Sequence, residues 1–313
     1  MSISVLGAGA FGTALAISLA RDGRPVTLWA RDLSGMDGEN TRRLPGHAFP
    51  PTLKVTDNLV TASQAETLLI ATPMQQLAPF LEANKTLFAR KTLVACCKGV
   101  DLSSGRGPAE IIAQTCPSAT PAILSGPSFA VDIAAGLPTA LTLAADDGVA
   151  LQQELSTANL RLYRSSDLIG VELGGALKNV VAIACGIAIA AGLGESARAA
   201  LMTRGYAEMQ RFAAMKGAQP ETLAGLSGFG DLALTCTSEK SRNYAFGLAL
   251  GRGQTPAENT TVEGKATAKA VSQTARNAEI DMPIADMVVA VLDQHITIRE
   301  AAEMLLSRPL KEE

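Results

Sequence analysis

Short apolar runs alternate with helix-length segments over the first half of the chain. Six of these runs are predicted to be buried strands: Ile3–Leu6, Val26–Ala30, Leu68–Ala71, Thr92–Cys97, Ala122–Leu124 and Ala140–Ala144. Apolar runs bounded by Gly, Pro and Thr and separated by helical stretches are typical of parallel β-α-β units. The first half is therefore predicted to be an α/β domain with a doubly wound parallel sheet, covered by helices on both faces.

The pattern changes near Arg164. From Ser165 onward the chain consists of long Ala- and Leu-rich stretches that Gly and Pro interrupt, with almost no strand pattern. These stretches predict an all-helical C-terminal domain. A single hydrophobic core rarely grows past about 250–300 residues, so we expect two domains, at 1–165 and 166–313.

The stretch Leu168–Leu193 is apolar for most of its length and is a candidate membrane span. Glu172, Lys178 and Asn179 interrupt it, and its longest clean run is Val180–Leu193. That run is shorter than the roughly 20 residues that a bilayer requires. The sequence therefore predicts a buried core helix and no membrane insertion.

Charge and cysteine usage narrow the classes of partner. The net charge is -3 and no Lys- or Arg-rich run occurs, so we expect a small-molecule partner rather than nucleic acid or an anionic membrane. The five cysteines form no Cys-x-x-Cys pair and the chain enters a strand directly, so we expect a cytoplasmic protein.

Adjacent Cys96 and Cys97 are interpreted as small buried residues. His47 and His295 are isolated, so no metal site is predicted.

A glycine motif follows the first predicted strand. Gly7, Gly9 and Gly12 form a Gly-x-Gly-x-x-Gly pattern between Ile3–Leu6 and a predicted helix at Thr13–Ala20. In this context the glycines allow a tight turn and a close approach of the backbone to a pyrophosphate, which the helix N-terminus then faces. The motif predicts a Rossmann-type domain that binds a nicotinamide dinucleotide.

The end of the second strand bears on cofactor choice. An acid there usually binds the ribose 2′-hydroxyl of NAD, whereas an arginine can hold the 2′-phosphate of NADP. Arg31 occupies this position and Asp32 follows it, although either side chain could be solvated. The pattern favours NADPH and leaves dual use open. Ala71–Pro73, after another strand, either contacts the cofactor or forms an ordinary loop.

Hydride transfer to a carbonyl requires a proton donor, and neither histidine lies in a suitable segment. Lys178 lies among apolar residues, so its ammonium group must be paired, must titrate, or must extend to the surface. Gly174 and Gly175 lie one turn away and would let a ligand approach the helix. The residues alone leave a proton donor and a solvated lysine as alternatives.

Three further segments contain groups suited to a polar ligand. Lys98 lies just past a strand end, and Ser125–Ala130 offers small residues and a hydroxyl after the next strand. Ser241–Asn243 is predicted to begin a helix, where free N–H groups and an arginine form an anion site. The alternative for each segment is a plain turn or an ordinary helix cap.

Taken together, these segments resemble the bacterial-type NAD(P)-dependent glycerol-3-phosphate dehydrogenases. The resemblance spans almost the whole chain, in the segments Gly7–Ala14, Leu28–Arg31, Leu44–Gly46, Ala71–Pro73, Lys98–Gly99, Ser125–Ala130, Gly174–Asn179, Gly228–Leu232, Leu234–Cys236, Ser238, Ser241–Asn243 and Glu263–Gly264. It implies reversible reduction of dihydroxyacetone phosphate, a phosphorylated triose, to sn-glycerol 3-phosphate, which supplies glycerophospholipid synthesis. The oligomeric state stays open, with a homodimer as the candidate.

The resemblance also implies roles for individual residues. Lys178 matches the general acid/base, with Lys98 and Asp231 as catalytic partners. The implied substrate contacts are Lys98, Gly126, Ser128, Lys178, Asp231, Ser241, Arg242 and Asn243. The implied cofactor contacts are Gly7, Gly9, Phe11, Gly12, Arg31, Lys98, Ala130, Arg242, Thr261 and Glu263.

The chain departs from the family pattern at Ala10, Arg43 and Thr261, and the stretch between Asn243 and Glu263 is short. These positions lie at the cofactor rim and in loops, so they bear on affinity and on NAD against NADP preference. Two other functions fit a similar plan. One is a β-hydroxyacid or 2-ketoacid reductase with a carboxylate substrate, and the other is a non-catalytic dinucleotide sensor.

Overall fold

A computed structural model describes residues 2–254 and 262–307. The strands within these ranges are β1 (Ile3–Leu6), β2 (Val26–Trp29), β3 (Glu39–Asn40), β4 (Leu44–Ala48), β5 (Leu53–Thr56), β6 (Thr67–Ile70), β7 (Thr92–Ala95), β8 (Thr120–Ser125), β9 (Thr139–Ala144) and β10 (Leu160–Ser165). Eight of them form one sheet in the order β10-β9-β8-β7-β6-β1-β2-β5. The remaining two, β3 and β4, pair as an antiparallel hairpin.

Helices connect and cover these strands, and after β10 the described regular elements are all helical. The helices are α1 (Ala10–Arg21), α2 (Leu59–Ala62), α3 (Leu77–Asn84), α4 (Pro108–Thr115), α5 (Ala130–Ala134), α6 (Val149–Leu155), α7 (Leu168–Ala190), α8 (Gly194–Met215), α9 (Pro220–Ala224), α10 (Asp231–Cys236), α11 (Arg242–Gly251), α12 (Glu263–Asn277), α13 (Pro283–Leu292) and α14 (Ile298–Leu306). A 3-10 turn at Met74–Gln76 and a π-helical turn at Leu226–Gly230 complete the list. The predicted combination of a Rossmann-like N-terminal domain and a helical C-terminal domain is confirmed.

All six predicted strands are present, and none of their ends shifts by more than two residues. The edge strands β5 and β10 and the β3-β4 hairpin were not predicted. Their burial explains this: β10 buries Leu160 and Leu162 while Arg161 and Tyr163 are exposed, so no continuous apolar run marks it. The hairpin contains Pro45 and Gly46, which are unfavourable in strands.

The sheet is mixed rather than wholly parallel. The pair β8-β9 is antiparallel, whereas the other neighbouring pairs are parallel. Strands β9 and β10 therefore run opposite to the other six strands. The C-terminal end of β10 lies at the same end of the sheet as the N-terminus of β8. From there α7 starts at Leu168 and returns toward the carboxyl end of β8. At 1.5 Å per residue, Lys178 lies roughly 15 Å along this helix.

Helix α7 is the centre of the helical domain. It is the one described helix long and apolar enough to cross a membrane, but 83% of its most apolar window is buried inside the protein. Helices α8, α10, α11 and α12 pack around it, and Val171 near its start belongs to the core of the N-terminal domain. The helix is therefore a buried core helix, as predicted.

A single aspartate fixes the start of α7. The Oδ1 atom of Asp167 accepts a hydrogen bond from the Gly170 amide at 2.8 Å, and its Oδ2 atom accepts one from the Gln219 amide at 2.8 Å. The carboxylate thus caps α7 and holds the residue that precedes α9. Because N-terminal amides of a helix lack backbone partners, this arrangement satisfies two donors at once.

We predict that Asp167→Ala lowers the free energy of unfolding by about 1–3 kcal/mol, because two amides lose their acceptor where Asp167 is buried. Urea unfolding monitored by circular dichroism measures the loss. Asn58→Ala is the matched control, since Asn58 caps the exposed four-residue helix α2 through the Thr61 amide. An Asp167→Ala loss no larger than that of the control would contradict the dual role.

Candidate active site

The glycine-rich turn lies where the strand order changes direction. Strand β1 has β2 on one side and β6 on the other, so the loops after β1 and β6 diverge and leave a crevice. Gly7 has φ +119°, and a Cβ atom there would lie 2.8 Å from the Ala71 carbonyl oxygen. A Cβ on Gly12 would lie 2.1 Å from the Gly7 carbonyl oxygen. Only glycines permit this close packing.

The outer side of the turn suits a pyrophosphate. A Cβ on Gly9 would meet no described atom within 4 Å, so space is open above the start of α1. Gly9 is the N-cap of this helix and provides no side-chain acceptor for its first amides. Free amides together with the positive end of the helix dipole attract an anion. The residues present therefore fit a dinucleotide.

Two oppositely charged side chains follow β2. Arg31 is exposed and forms no ion pair with any described residue. Asp32, in contrast, pairs with Arg42 at 2.6 Å and accepts a hydrogen bond from the Ser34 amide at 2.9 Å. The bonds from Ser34 and then Arg42 lower the pKa of Asp32 to about 2. The acid is thus engaged within the protein, while the arginine is available to a ligand.

A buried cluster of charges lies beside the carboxyl ends of β7 and β8. The Asp231 carboxylate, 1% exposed, accepts from Lys178 Nζ at 2.7 Å and from Lys98 Nζ at 2.6 Å. Lys98 Nζ also donates to the Gly126 carbonyl oxygen at 3.0 Å, and Lys178 Nζ donates to Thr235 Oγ1 at 2.7 Å. Two lysines and one aspartate give the cluster a net charge of about +1, which suits an anionic ligand.

Burial sets the protonation behaviour of Lys178. Its side chain is 8% exposed, so it does not extend into solvent. Desolvation lowers the pKa of Lys178 to about 8, with the Lys98 charge adding to this effect and the Asp231 carboxylate opposing it. The ammonium group can therefore give up and regain a proton near neutral pH.

Close backbone packing brings the cluster together. A Cβ on Gly174 would lie 2.6 Å from the Ser227 carbonyl oxygen, and one on Gly175 would lie 2.3 Å from Ser125 Oγ. The two glycines therefore let α7 contact the π-helical turn before Asp231 and the end of β8. The prediction that they open the helix to a ligand is wrong, because protein atoms occupy that space.

Thr235 was missed as an individual site residue. It lies four residues after Asp231 on α10, so both side chains lie on one face of this helix. Its hydroxyl lies within hydrogen-bond distance of both groups, 2.7 Å from Lys178 Nζ and 3.3 Å from Asp231 Oδ1. The four-residue spacing from Asp231 was the available signal in the sequence. It did not predict a site residue, because the contact of Thr235 with Lys178 is formed only in the folded protein.

The predicted anion segment begins α11. Ser241 caps this helix by accepting from the Tyr244 amide, and Arg242 in the first turn is exposed. Asn243 is buried and contacts two other elements: its Nδ2 donates to Asn179 Oδ1 at 2.9 Å, and its Oδ1 accepts from the Gly264 amide at 3.0 Å. Asn179, next to Lys178, is thereby tied to the starts of α11 and α12.

Glu263 connects this region to the loop after β6. Burial raises the pKa of Glu263, while the Met74 amide and the Arg242 charge act in the opposite direction. Gly99 contributes to the same junction, because a Cβ there would lie 3.1 Å from Met74 Cγ. The loops after β6 and β7 therefore meet α12. Thr261 lies outside the described residues.

The other predicted contacts line the crevice edge. Phe11 in α1 and Ala130 at the start of α5 are half-buried and pack against the core of the N-terminal domain. Ser128 is also half-buried, with Oγ 3.5 Å from the Gly126 carbonyl oxygen. The turn after β8 thus lies between the glycine-rich turn and the lysine-aspartate cluster. The glycine-rich turn, the turn after β8 and the lysine-aspartate cluster therefore line the same region of the fold.

Comparisons with known proteins identify the family of the chain. Family models described as NAD-dependent glycerol-3-phosphate dehydrogenase N-terminus and C-terminus match residues 2–150 and 167–303. Enzymes named glycerol-3-phosphate dehydrogenase (NAD(P)+) from Ruegeria sp. (strain TM1040) and Paracoccus denitrificans (strain Pd 1222) are 60% and 57% identical, each over 100% of both chains. The crystal structure of glycerol-3-phosphate dehydrogenase from Coxiella burnetii matches with a TM-score of 0.93 and 38% identity, covering 98% of this chain and 99% of that one. The chain belongs to the NAD-dependent glycerol-3-phosphate dehydrogenase family.

Proposed function

We propose that this protein interconverts dihydroxyacetone phosphate and sn-glycerol 3-phosphate with NADPH or NADH. The observation that carries the proposal is the buried Lys178–Asp231–Lys98 cluster beside a turn suited to a dinucleotide. Family membership supports the substrate pair. The cluster provides both a proton and positive charge, which reduction of a phosphorylated ketone requires.

In the proposed mechanism Lys178 is the general acid of ketone reduction. A nicotinamide dinucleotide held at the glycine-rich turn of Gly7, Gly9 and Gly12 would supply the hydride for the carbonyl carbon. Lys178 Nζ donates its proton to the carbonyl oxygen, and in the reverse reaction the neutral amine accepts a proton from the hydroxyl group. Asp231 orients the amine through Oδ1, and Lys98 adds positive charge that stabilises the developing alkoxide.

The crevice residues hold the cofactor in this proposal. Gly7, Gly9 and Gly12 form the pyrophosphate turn, and Arg31 contacts the adenosine end, so NADPH is favoured and dual use stays open. Asp32 does not compete for the ribose, because Arg42 and Ser34 engage its carboxylate. The remaining proposed cofactor contacts are Phe11, Lys98, Ala130, Arg242, Thr261 and Glu263.

The substrate lies between the cluster and the start of α11 in this proposal. Arg242 and the first amides of α11 bind the phosphate, since a guanidinium group and a helix N-terminus both favour an anion. The other proposed contacts are Lys98, Gly126, Ser128, Lys178, Asp231, Ser241 and Asn243. Because Asn243 also bonds to Asn179, the phosphate site and the catalytic helix are coupled.

The wider setting completes the proposal. Residues 1–165 form the dinucleotide-binding domain and 166–313 the substrate-binding domain. The enzyme works in the cytoplasm as a homodimer and supplies glycerophospholipid synthesis. Light scattering after size-exclusion chromatography tests the dimer, and cell fractionation tests the location.

We predict that the purified protein oxidises NADPH and NADH only when dihydroxyacetone phosphate is present. Because the pKa of Lys178 is about 8, kcat for reduction should fall as pH rises through about 8, and kcat for oxidation of glycerol 3-phosphate should rise. Absorbance at 340 nm measures both directions. Turnover of a 2-ketoacid instead would establish the hydroxyacid reductase, and cofactor binding without any turnover would establish a sensor.

We predict that Lys178→Met lowers kcat by about 10²–10⁴, because the proton donor is deleted while side-chain length is roughly kept. Cofactor affinity should barely change, and fluorescence titration with NADPH in the same preparation measures it. Lys269→Met is the control, since it removes a lysine paired with Asp293 within the helical domain. A Lys178→Met protein that retains more than about a tenth of the parental kcat would make Lys98 the candidate donor.

We predict that Arg242→Ala lowers kcat/KM for dihydroxyacetone phosphate, because a charge-assisted pair with the phosphate is lost. The decrease should correspond to a loss of several kcal/mol of transition-state stabilisation. The weak kcat/KM for unphosphorylated dihydroxyacetone should stay unchanged. Arg276→Ala is the control, because Arg276 pairs with Asp286 at 3.0 Å within the helical domain. Equal losses for both substrates would place the phosphate elsewhere.

A further inference from the structure

Asn40 is a buried polar residue beside the glycine-rich turn that takes no part in the proposed chemistry. It ends the short strand β3 and is 2% exposed. Its Nδ2 atom donates to the Ala8 carbonyl oxygen at 3.0 Å and to Thr13 Oγ1 at 2.9 Å. Its Oδ1 atom accepts from the Arg43 amide at 3.0 Å. A side chain buried with three hydrogen bonds has one defined orientation.

These bonds span the turn. Ala8 lies between Gly7 and Gly9, whereas Thr13 lies in α1 just after Gly12, so one amide group ties the two sides of the turn together. Glycines lose more backbone freedom on ordering than other residues do. The Thr13 amide already donates to the Gly9 carbonyl oxygen at 2.9 Å, and the Asn40 side chain adds the restraint that joins Ala8 to α1.

The same side chain sets the position of the β3-β4 hairpin. The Arg43 amide bonds to Asn40 Oδ1, and the next residue, Leu44, is 1% exposed in the core of the N-terminal domain. Arg42, between Asn40 and Arg43 in the chain, forms an ion pair with the Asp32 carboxylate after β2. The hairpin is thereby held against both the glycine-rich turn and the end of β2.

We propose that Asn40 is a positioning residue that holds the glycine-rich turn in its dinucleotide-binding conformation before the cofactor arrives. The inference rests on the proposed function, because it concerns affinity for the same cofactor. When the turn is already ordered in the folded protein, its loss of conformational entropy is not charged against cofactor binding, so the affinity is higher. Since Asn40 acts on the turn that faces the pyrophosphate, its effect is the same for NADPH and NADH.

Two substitutions test this role. Asn40→Ala removes all three bonds, whereas Asn40→Asp has the same shape, keeps the acceptor for the Arg43 amide and loses both donors. We expect the Kd of NADPH and of NADH to rise about ten-fold or more in Asn40→Ala, which matches the loss of buried hydrogen bonds. Both Kd values should rise further in Asn40→Asp than in Asn40→Ala, because the aspartate charge lies near the pyrophosphate. The ratio of the two Kd values and kcat at saturating cofactor should stay within about two-fold of the parent.

Asn159→Ala is the matched control. Asn159 accepts from Ser18 Oγ on the same helix α1 at 3.0 Å, but toward the end far from the turn. It should lower Tm without changing either Kd, as measured by fluorescence titration. Parental protein that binds neither cofactor would overturn the proposed function and this inference together. Parental protein that binds, with Asn40→Asp binding equally well or Asn159→Ala weakened equally, would overturn the inference alone.

Discussion

The Asp231 carboxylate, shared between two lysines, is the interaction on which the site depends. A buried lysine without a counter-charge would lose its proton, and two buried lysines would repel each other. With Asp231 between them, Lys98 and Lys178 stay within hydrogen-bond distance of one carboxylate, from two different domains. The carboxylate thereby joins the end of β7, α7 and α10, while desolvation keeps the pKa of Lys178 at about 8.

The path of α7 makes this pairing possible. Because β9 and β10 run opposite to β8, the chain leaves β10 at the end of the sheet opposite the crevice. Helix α7 then returns toward the crevice. Asp167 fixes its start, and the Glu172 carboxylate accepts from the Ala109 amide of α4 at 2.9 Å, which anchors it to the N-terminal domain. Burial raises the pKa of Glu172 to about 7, so this anchor is costly to ionise. The buried helix thus has a defined position from which Lys178 meets Asp231.

Cofactor and substrate sites depend on different kinds of order. The pyrophosphate turn consists of glycines, and we attribute its order to Asn40, a residue from a hairpin outside the main sheet. The proposed phosphate site consists of a helix start whose second residue, Asn243, bonds to Asn179 beside Lys178. In both places a buried amide side chain connects a ligand-facing segment to its support.

The fold class, the glycine-rich turn and the place of Lys178 within a buried helix could be predicted from the sequence, because apolar periodicity and a lysine within an apolar helix are local properties. The sequence did not determine the direction of β9, the edge strand β10 or the roles of Thr235 and Asn40. Strand direction and edge pairing depend on contacts between distant segments, and Thr235 and Asn40 are ordinary polar residues until folding buries them beside Lys178 and Ala8. Only the tertiary structure decided these features, since a buried hydrogen bond acquires its partner and its energetic weight from segments far away in the chain.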